Sequence, residues 1–359
     1  MATMVYDEKR AEAFAGRVLE TLNSGALAVM ISIGHRTRLF DALADIGEAT
    51  SEELAEAAGL QERYVREWLA AMTAGRVVEY DAASERYHLP PEHASWLTRA
   101  ASPNNVAVTA QFLPVIATVE DEIVRAFREG GGVPYERFGR FHEVMAEHSS
   151  QTVVSALHSH ILPLVPGAEE RLERGASLLD LGSGRGLALL ALAERFPRSR
   201  FVGLDLSNEA VEFARAQAAS LGLENVEFSV RDLSTFDVDA TPEAFDFVTT
   251  FDAVHDQARP LALLRGIRRS LTRDGVYLMQ DIHGSSHVHE NIDNPLGTYL
   301  YTVSCMHCMT VSLAQGGEGL GAMWGEQMTR DYLRRAGFTS IETHQPAHDI
   351  QNNWYVVRK

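Results

Sequence analysis

Apolar residues recur along this chain with two periods, and the place where one gives way to the other divides the sequence. In the first hundred residues the spacing is helical. Residues 5–33 read as a helix interrupted near Asn23-Ser24-Gly25, and Arg38 to Ala44 repeats apolar positions at helical spacing. Thr50 with Glu53 three positions on makes a capping box for a short helix that Gly59 ends. A further helix over Glu62–Ala74 sets Val65, Leu69 and Met72 on one side, and Gly75 closes it. Val77–Tyr80 and Arg86–Leu89 then flank a polar turn, the signature of a hairpin. Three helices and a hairpin predict a winged helix.

Residues 103–172 also read as helical, with breaks at Gly130-Gly131-Gly132, Pro163 and Pro166-Gly167. Phe112, Phe127, Tyr135, Phe138, Phe141 and Met145 run through this stretch and suit either core packing or a lid over a pocket. From Ala176 the pattern alternates. Short apolar strands at 177–181, 201–205, 226–230, 245–251 and 276–281 are separated by helices over 187–195, 209–221 and 260–271. Strands alternating with helices imply a parallel sheet covered on both faces. The predicted fold class is α/β: a Rossmann-like domain at 173–359, a helical linker or lid at 101–172, and a helical winged-helix domain at 1–100.

The first of those strands runs into Asp180-Leu181-Gly182-Ser183-Gly184-Arg185-Gly186, and a helix follows. Glycines at such a turn let backbone approach a ligand where a side chain would collide. Asp205 ends the next strand, 19 residues after Gly186, where an acid accepts hydrogen bonds from ribose hydroxyls. A dinucleotide site usually carries G-x-G-x-x-G with a pyrophosphate over the helix N-terminus. Here the spacing is G-x-G-x-G, with an acid two residues ahead of it. Asp180 suits a ligand with an amino-acid tail and a sulfonium cation better than one with phosphates. Asp232, after the third strand, is placed for the adenine amino group, with Leu206 and Leu233 flanking the ring.

On these residues, with the fourth strand leading to Phe251-Asp252, residues 176–357 resemble the class I S-adenosylmethionine-dependent methyltransferases. The resemblance implies S-adenosylmethionine held by Asp180, Gly182, Ser183, Gly184, Gly186, Asp205, Leu206, Asp232, Leu233 and Phe251. It also implies a seven-stranded sheet, completed by strands at Ser340–Thr343 and Trp354–Val357, the last antiparallel. Gly34 through Leu43, Thr50 through Ala55 and Val65 through Leu69 are similar to the dimerisation domain of small-molecule O-methyltransferases. The segment Met306–Leu313, with Gly316-Gly317 and Trp324-Gly325, is similar to bacterial winged-helix methyltransferases named as transcriptional regulators. These resemblances imply a methyl transfer to a small-molecule hydroxyl or thiol by a homodimer. The alternative is a ligand-sensing regulator with a non-catalytic Rossmann domain.

Charge bears on that choice. The chain carries a formal net charge of -17, and residues 1–100 hold 10 Lys and Arg against 16 Asp and Glu. The candidate recognition helix balances Arg63 and Arg66 with Glu62 and Glu67. A DNA reader needs a basic face, so no nucleic-acid partner is expected. The N-P-P-Y signature of RNA methyltransferases does not occur. No apolar run approaches the ~20 residues of a membrane span, and the start from Met1 to Arg10 is charged, so a cytoplasmic protein is expected.

The acceptor needs a base if it is a hydroxyl. His255, in Phe251-Asp252-Ala253-Val254-His255-Asp256, follows the fourth strand and is the first candidate. His283, after Asp281-Ile282, lies near the place of the histidine that plant-type O-methyltransferases keep after the fifth strand, in different surroundings; His307 is a third candidate. Cys305 and Cys308, the only cysteines, fall three apart on a predicted helix over 295–315 and share a face. Core or pocket lining, a soft substrate contact and a metal are all open to them. With no second cysteine pair, no structural metal is expected. Tyr301, Cys308, Met309 and Trp324, with Met306, are the candidate acceptor wall.

Overall fold

The helical period at the start produces one long helix, Glu8–Arg36, in the computed structural model, which describes residues 6–359. The expected helix start at residue 5 lies outside the described residues. The expected break at 23–25 is absent. Asn, Ser and Gly in a helix interior cost at most ~1 kcal/mol each. Burial of Leu27, Met30 and Ile31 against the neighbouring helices outweighs that. The chain divides into two units, Met1–Pro114 and Val115–Lys359.

In the first unit, helices Leu39–Ile46, Ser51–Ala58 and Glu62–Ala74 enclose a core of Phe40, Leu43, Leu54, Trp68, Leu69 and Met72. The capping box at Thr50 forms as predicted, its hydroxyl accepting from the Glu53 N–H while the Glu53 carboxylate accepts from the Thr50 N–H. The wing is a three-stranded antiparallel sheet of β1 (Glu48–Ala49), β2 (Glu79–Asp81) and β3 (Arg86–His88), in the order β1-β3-β2. At two residues, β1 is too short to leave a periodic signal.

The second unit contains a seven-stranded sheet. Its strands are β4 (Ser177–Leu181), β5 (Arg200–Asp205), β6 (Val226–Val230), β7 (Phe245–Phe251), β8 (Leu271–Ile282), β9 (Ser340–His344) and β10 (Asn352–Arg358). They lie in the order β6-β5-β4-β7-β8-β10-β9. β4 to β8 pair in parallel, and β10 runs antiparallel to both of its neighbours. Alternate residues feed different cores. Leu178, Phe247, Leu278 and Val356 face one side, while Leu179, Val248, Met279 and Val357 face the other. A sheet covered by helices on both faces requires that division.

The strand order reverses between β4 and β7, so the loops leaving these two strands part to opposite faces and open a crevice beyond their C-terminal ends. The predicted continuous helix over 295–315 is instead Gly297–Val303 and Met309–Ala314 joined by a π-turn at Ser304–Cys308.

Candidate active site

The Asp180 side chain, 2% exposed at the end of β4, accepts from the Thr249 hydroxyl at 2.7 Å. Burial pushes its carboxyl up to about 7, with the nearby Asp205 charge adding to the rise and Thr249 opposing it. The loop beyond turns on Gly182, Gly184 and Gly186, all at positive φ. A Cβ on Gly182 would stand 2.5 Å from the Ala253 Cβ, and one on Gly186 would stand 2.4 Å from the Phe228 ring. The glycines thus answer to close packing on the protein side as well as to left-handed backbone.

Asp205 is almost fully buried at the end of β5. One carboxylate oxygen accepts from the Gly184 N–H and the other from the Ser207 N–H, each at 2.8 Å. A carboxylate has about four acceptor positions, so this clamp orients the group and leaves lone pairs over. The buried Ser183 hydroxyl has no partner among the described residues. Phe251 is half-buried and its ring lies 5.8 Å from that of Trp354.

A second cluster adjoins this loop through Ala253. β7 and β8 pair with Phe251 opposite Gln280, so the chain leaving β7 passes beside Asp281. His255 follows that exit and is 2% exposed. Its Nδ1 lies 2.7 Å from Asp281 Oδ1, and its Nε2 lies 3.2 Å from Asp256 Oδ1. Asp281 Oδ1 also accepts from the Trp324 indole N–H at 3.0 Å and the Ile282 N–H at 2.9 Å. The Tyr135 hydroxyl donates to Asp256 Oδ2 at 2.7 Å. Burial by itself depresses the His255 pKa, but the Asp281 and Asp256 carboxylates override it and hold the imidazole well above its ordinary range. The carboxyl of Asp252, strained at φ +50°, is driven well above the usual range by burial and by Asp281.

A histidine whose Nδ1 is fixed by a buried carboxylate can move a proton, and a glycine loop clamped to an acid can meet a nucleoside. Residues 172–335 match the family model described as a methyltransferase domain, and residues 25–99 match one described as an Rv2258c-like winged HTH domain. Two solved structures share the fold. A candidate O-methyltransferase from Nostoc punctiforme superposes with a TM-score of 0.71 at 21% identity, over 96% of this chain and 98% of that one. Human N-acetylserotonin methyltransferase in complex with SAM gives 0.68 at 19% identity, over 100% and 99%. The fold is that of a class I methyltransferase. Among curated relatives, the cypemycin N-terminal methyltransferase of a Streptomyces species is 38% identical over 105 residues, 28% of this chain and 40% of that protein. The chain spans less than half the length of the curated relatives it matches, for example 30% of the (S)-coclaurine N-methyltransferase of Thalictrum flavum subsp. glaucum, at 27% identity.

Within this methyltransferase fold the sequence-predicted site residues separate into groups. Asp180 at the end of β4 and Gly182, Ser183, Gly184 and Gly186 in the turn after it form one stretch, bonded to Asp205 through the Gly184 N–H and packed through Gly182 on Ala253, two residues before His255. Leu206 is exposed, as is Asp232, whose Oδ1 accepts from the Ser234 N–H. Leu233 is a core residue packed among Phe236 and its neighbours. His283 contacts Asn353 and Gln345 through its Nδ1. His307 is fully buried and stacked on Phe141 at 3.6 Å between ring centroids. Neither of its nitrogens has a hydrogen-bond partner among the described residues, and burial brings its pKa down to about 4.

The acceptor wall divides as well. Tyr301 and Met306 line an open groove of about 830 Å³ with Cys305 and Phe127, a lining that does not include Cys308, Met309 or Trp324. Cys308 instead faces His255 and Asp256. The expected shared face of Cys305 and Cys308 is therefore corrected: the π-turn widens the helix and rotates residues three apart away from each other. Sequence reasoning missed Asp281 as the partner of His255. Asp281 lies 26 residues further along, and only the register of β7 against β8 brings it alongside.

Proposed function

We propose that this chain transfers a methyl group from S-adenosylmethionine to a small-molecule hydroxyl or thiol, with His255 taking the acceptor's proton. The observation that carries the reading is the buried His255–Asp281 pair set against the glycine loop through Ala253. The residues present fit the cofactor. Asp205 has lone pairs left for two ribose hydroxyls, Asp180 matches an ammonium group, and the Ser183 hydroxyl awaits a partner. Gly184, where a Cβ would meet nothing within 4 Å, leaves the open side of the loop bare of a side chain. Phe251 and Leu206 supply apolar surface, with Leu233 packed in the core beneath, and Asp232 supplies an acceptor for the adenine amino group. S-adenosylmethionine supplies, when bound, a methyl made electrophilic by a sulfonium.

The protein's own work is orientation and proton transfer. Asp281 keeps the proton on Nδ1, so that once the Nε2 proton facing Asp256 has left, the Nε2 lone pair serves the acceptor's O–H or S–H. The imidazolium then formed is stabilised by the same carboxylate. Trp324 and the Ile282 N–H hold that carboxylate still. His283 and His307 stand behind His255 as bases. Tyr301, Cys308, Met309 and Trp324 are the side chains we assign to the acceptor region.

The segment at 101–172 serves as a lid. Tyr135 bonded to Asp256 and Phe141 stacked on His307 support that role. The winged helix serves a homodimer rather than DNA. Arg63–Glu67 and Arg66–Glu62 ion pairs neutralise the helix that would read bases. No described helix is long and apolar enough to cross a membrane, in keeping with a protein of the cytoplasm. Calorimetry tests the cofactor assignment. S-adenosylhomocysteine should bind the wild type and lose at least tenfold in affinity with Asp205→Ala. No heat of binding to either protein sinks the reading.

A further inference from the structure

The His255 cluster holds more negative charge than one imidazole balances. Asp256 and Asp281 both approach it, beside the Asp252 carboxyl, which burial holds toward its neutral form; Asp281 Oδ2 has no hydrogen-bond partner among the described residues, and Asp256 Oδ1 meets the His255 Nε2 at 3.2 Å. Two buried carboxylates against one imidazole suit a further cation. Across from these acids is the Cys308 thiol. A donor atom from each of His255, Asp256 and Cys308 lies within 4.8 Å of the other two, and all three residues are buried.

We propose that His255, Asp256 and Cys308 form a three-ligand site for Zn²⁺ or a similar borderline-soft divalent cation. Imidazole, carboxylate and thiolate make a donor set suited to that ion, and three protein ligands leave a fourth position open. Zinc bonds of about 2.0–2.3 Å in a tetrahedron set donors about 3.5 Å apart. His255 Nε2 and Asp256 Oδ1 already stand at 3.2 Å, so only the Cys308 sulfur has to move in. The outer partners are in place. Asp281 holds the far nitrogen of His255, and Tyr135 holds the far oxygen of Asp256. Binding displaces the thiol proton of Cys308 and the Nε2 proton of His255 to solvent and ties up the Nε2 lone pair. The occupied state therefore cannot accept a proton at that atom, and the ion acts as a brake on the site rather than as a participant in transfer.

Co²⁺ titration of the full chain, with any affinity tag removed and with no cofactor or acceptor present, tests this independently of methyl transfer. One equivalent should bind and give a thiolate-to-cobalt charge-transfer band that Zn²⁺ bleaches. Cys308→Ser should abolish the band and weaken binding at least tenfold, and Asp256→Asn should weaken it by a similar factor. Cys305→Ser and His287→Ala should leave both unchanged. Unchanged melting temperatures would show that the variants still fold. Absence of stoichiometric binding, or binding indifferent to both Cys308→Ser and Asp256→Asn in folded protein, overturns the proposal. A failed calorimetric test with S-adenosylhomocysteine would leave the cobalt result standing, so the two readings fail separately.

Discussion

His255 is held well above its ordinary pKa by Asp281 and Asp256, so the resting imidazole keeps a proton that an ordinary histidine gives up more readily. A base must first lose that proton, and the rate should therefore rise with pH along a limb set by His255. Asp281→Asn removes a carboxylate that raises the pKa, so the limb should move toward acid while kcat falls. A pH profile of kcat/KM reads both effects. A fall in kcat with an unmoved limb would detach Asp281 from the proton transfer. His255→Ala should cost about 10²–10⁴-fold in kcat, the usual weight of a general base, with cofactor affinity little changed. Asp180 works the other way. Its folded-state value of about 7 lies above the ordinary 3.8. The unliganded fold thus gains stability from the neutral carboxyl below about pH 4 and loses that gain as pH rises toward 7. A ligand ammonium needs the ionised form. Affinity for S-adenosylhomocysteine should therefore climb with pH up to about 7 and then level, and Asp180→Asn should flatten the curve in calorimetry.

Among the elements, the strap at 130–133 carries a precise demand. A Cβ on Gly132 would meet the Thr310 carbonyl oxygen at 2.0 Å, and the Val133 N–H donates to the Thr310 hydroxyl at 2.8 Å. The strap thus lies directly on helix Met309–Ala314, and it delivers Tyr135 to Asp256 two residues later. Gly132→Ala should destabilise the fold by about 1–3 kcal/mol through overpacking, measured by chemical denaturation. A neutral result would mean that the strap is free to lift. The sequence marked these glycines only as a break between helices, because a close approach of backbone to a distant helix leaves no periodic trace. The π-turn at Ser304–Cys308 was equally hidden, since the apolar spacing across it still reads as α-helix.

At the level of the whole chain, the long first helix presents Phe14, Val18, Leu22, Val29 and Ile33 to solvent, spaced four, four, seven and four apart. That spacing keeps them on one stripe about 100° wide, a face that a second helix covers well. Leu22 is 66% exposed, too much for a core residue of a monomer's helix. Light scattering should therefore report a dimer, and Leu22→Glu should shift it toward monomer with the winged-helix core intact. A wild-type monomer at micromolar concentration removes the dimer.

What the sequence determined by itself is whatever short-range physics writes into it. The alternation of strands and helices, the glycine turn with Asp180 and Asp205, and the capping box at Thr50 all depend on residues within a few positions of one another. Strand bounds at 177–181 and 226–230 and the helix at 187–195 matched for that reason. His255 was legible because it follows a strand whose end faces the crevice. The pairing of His255 with Asp281, the convergence of Cys308 on Asp256 and the division of the expected acceptor wall belonged to tertiary structure alone. They arise from strand register, from a widened helical turn and from a strap seated on a helix, each joining residues far apart in the chain. Charge followed the same rule, because burial lifts the Asp180 carboxyl to about 7 and the converging Asp281 and Asp256 carboxylates, against burial, raise His255.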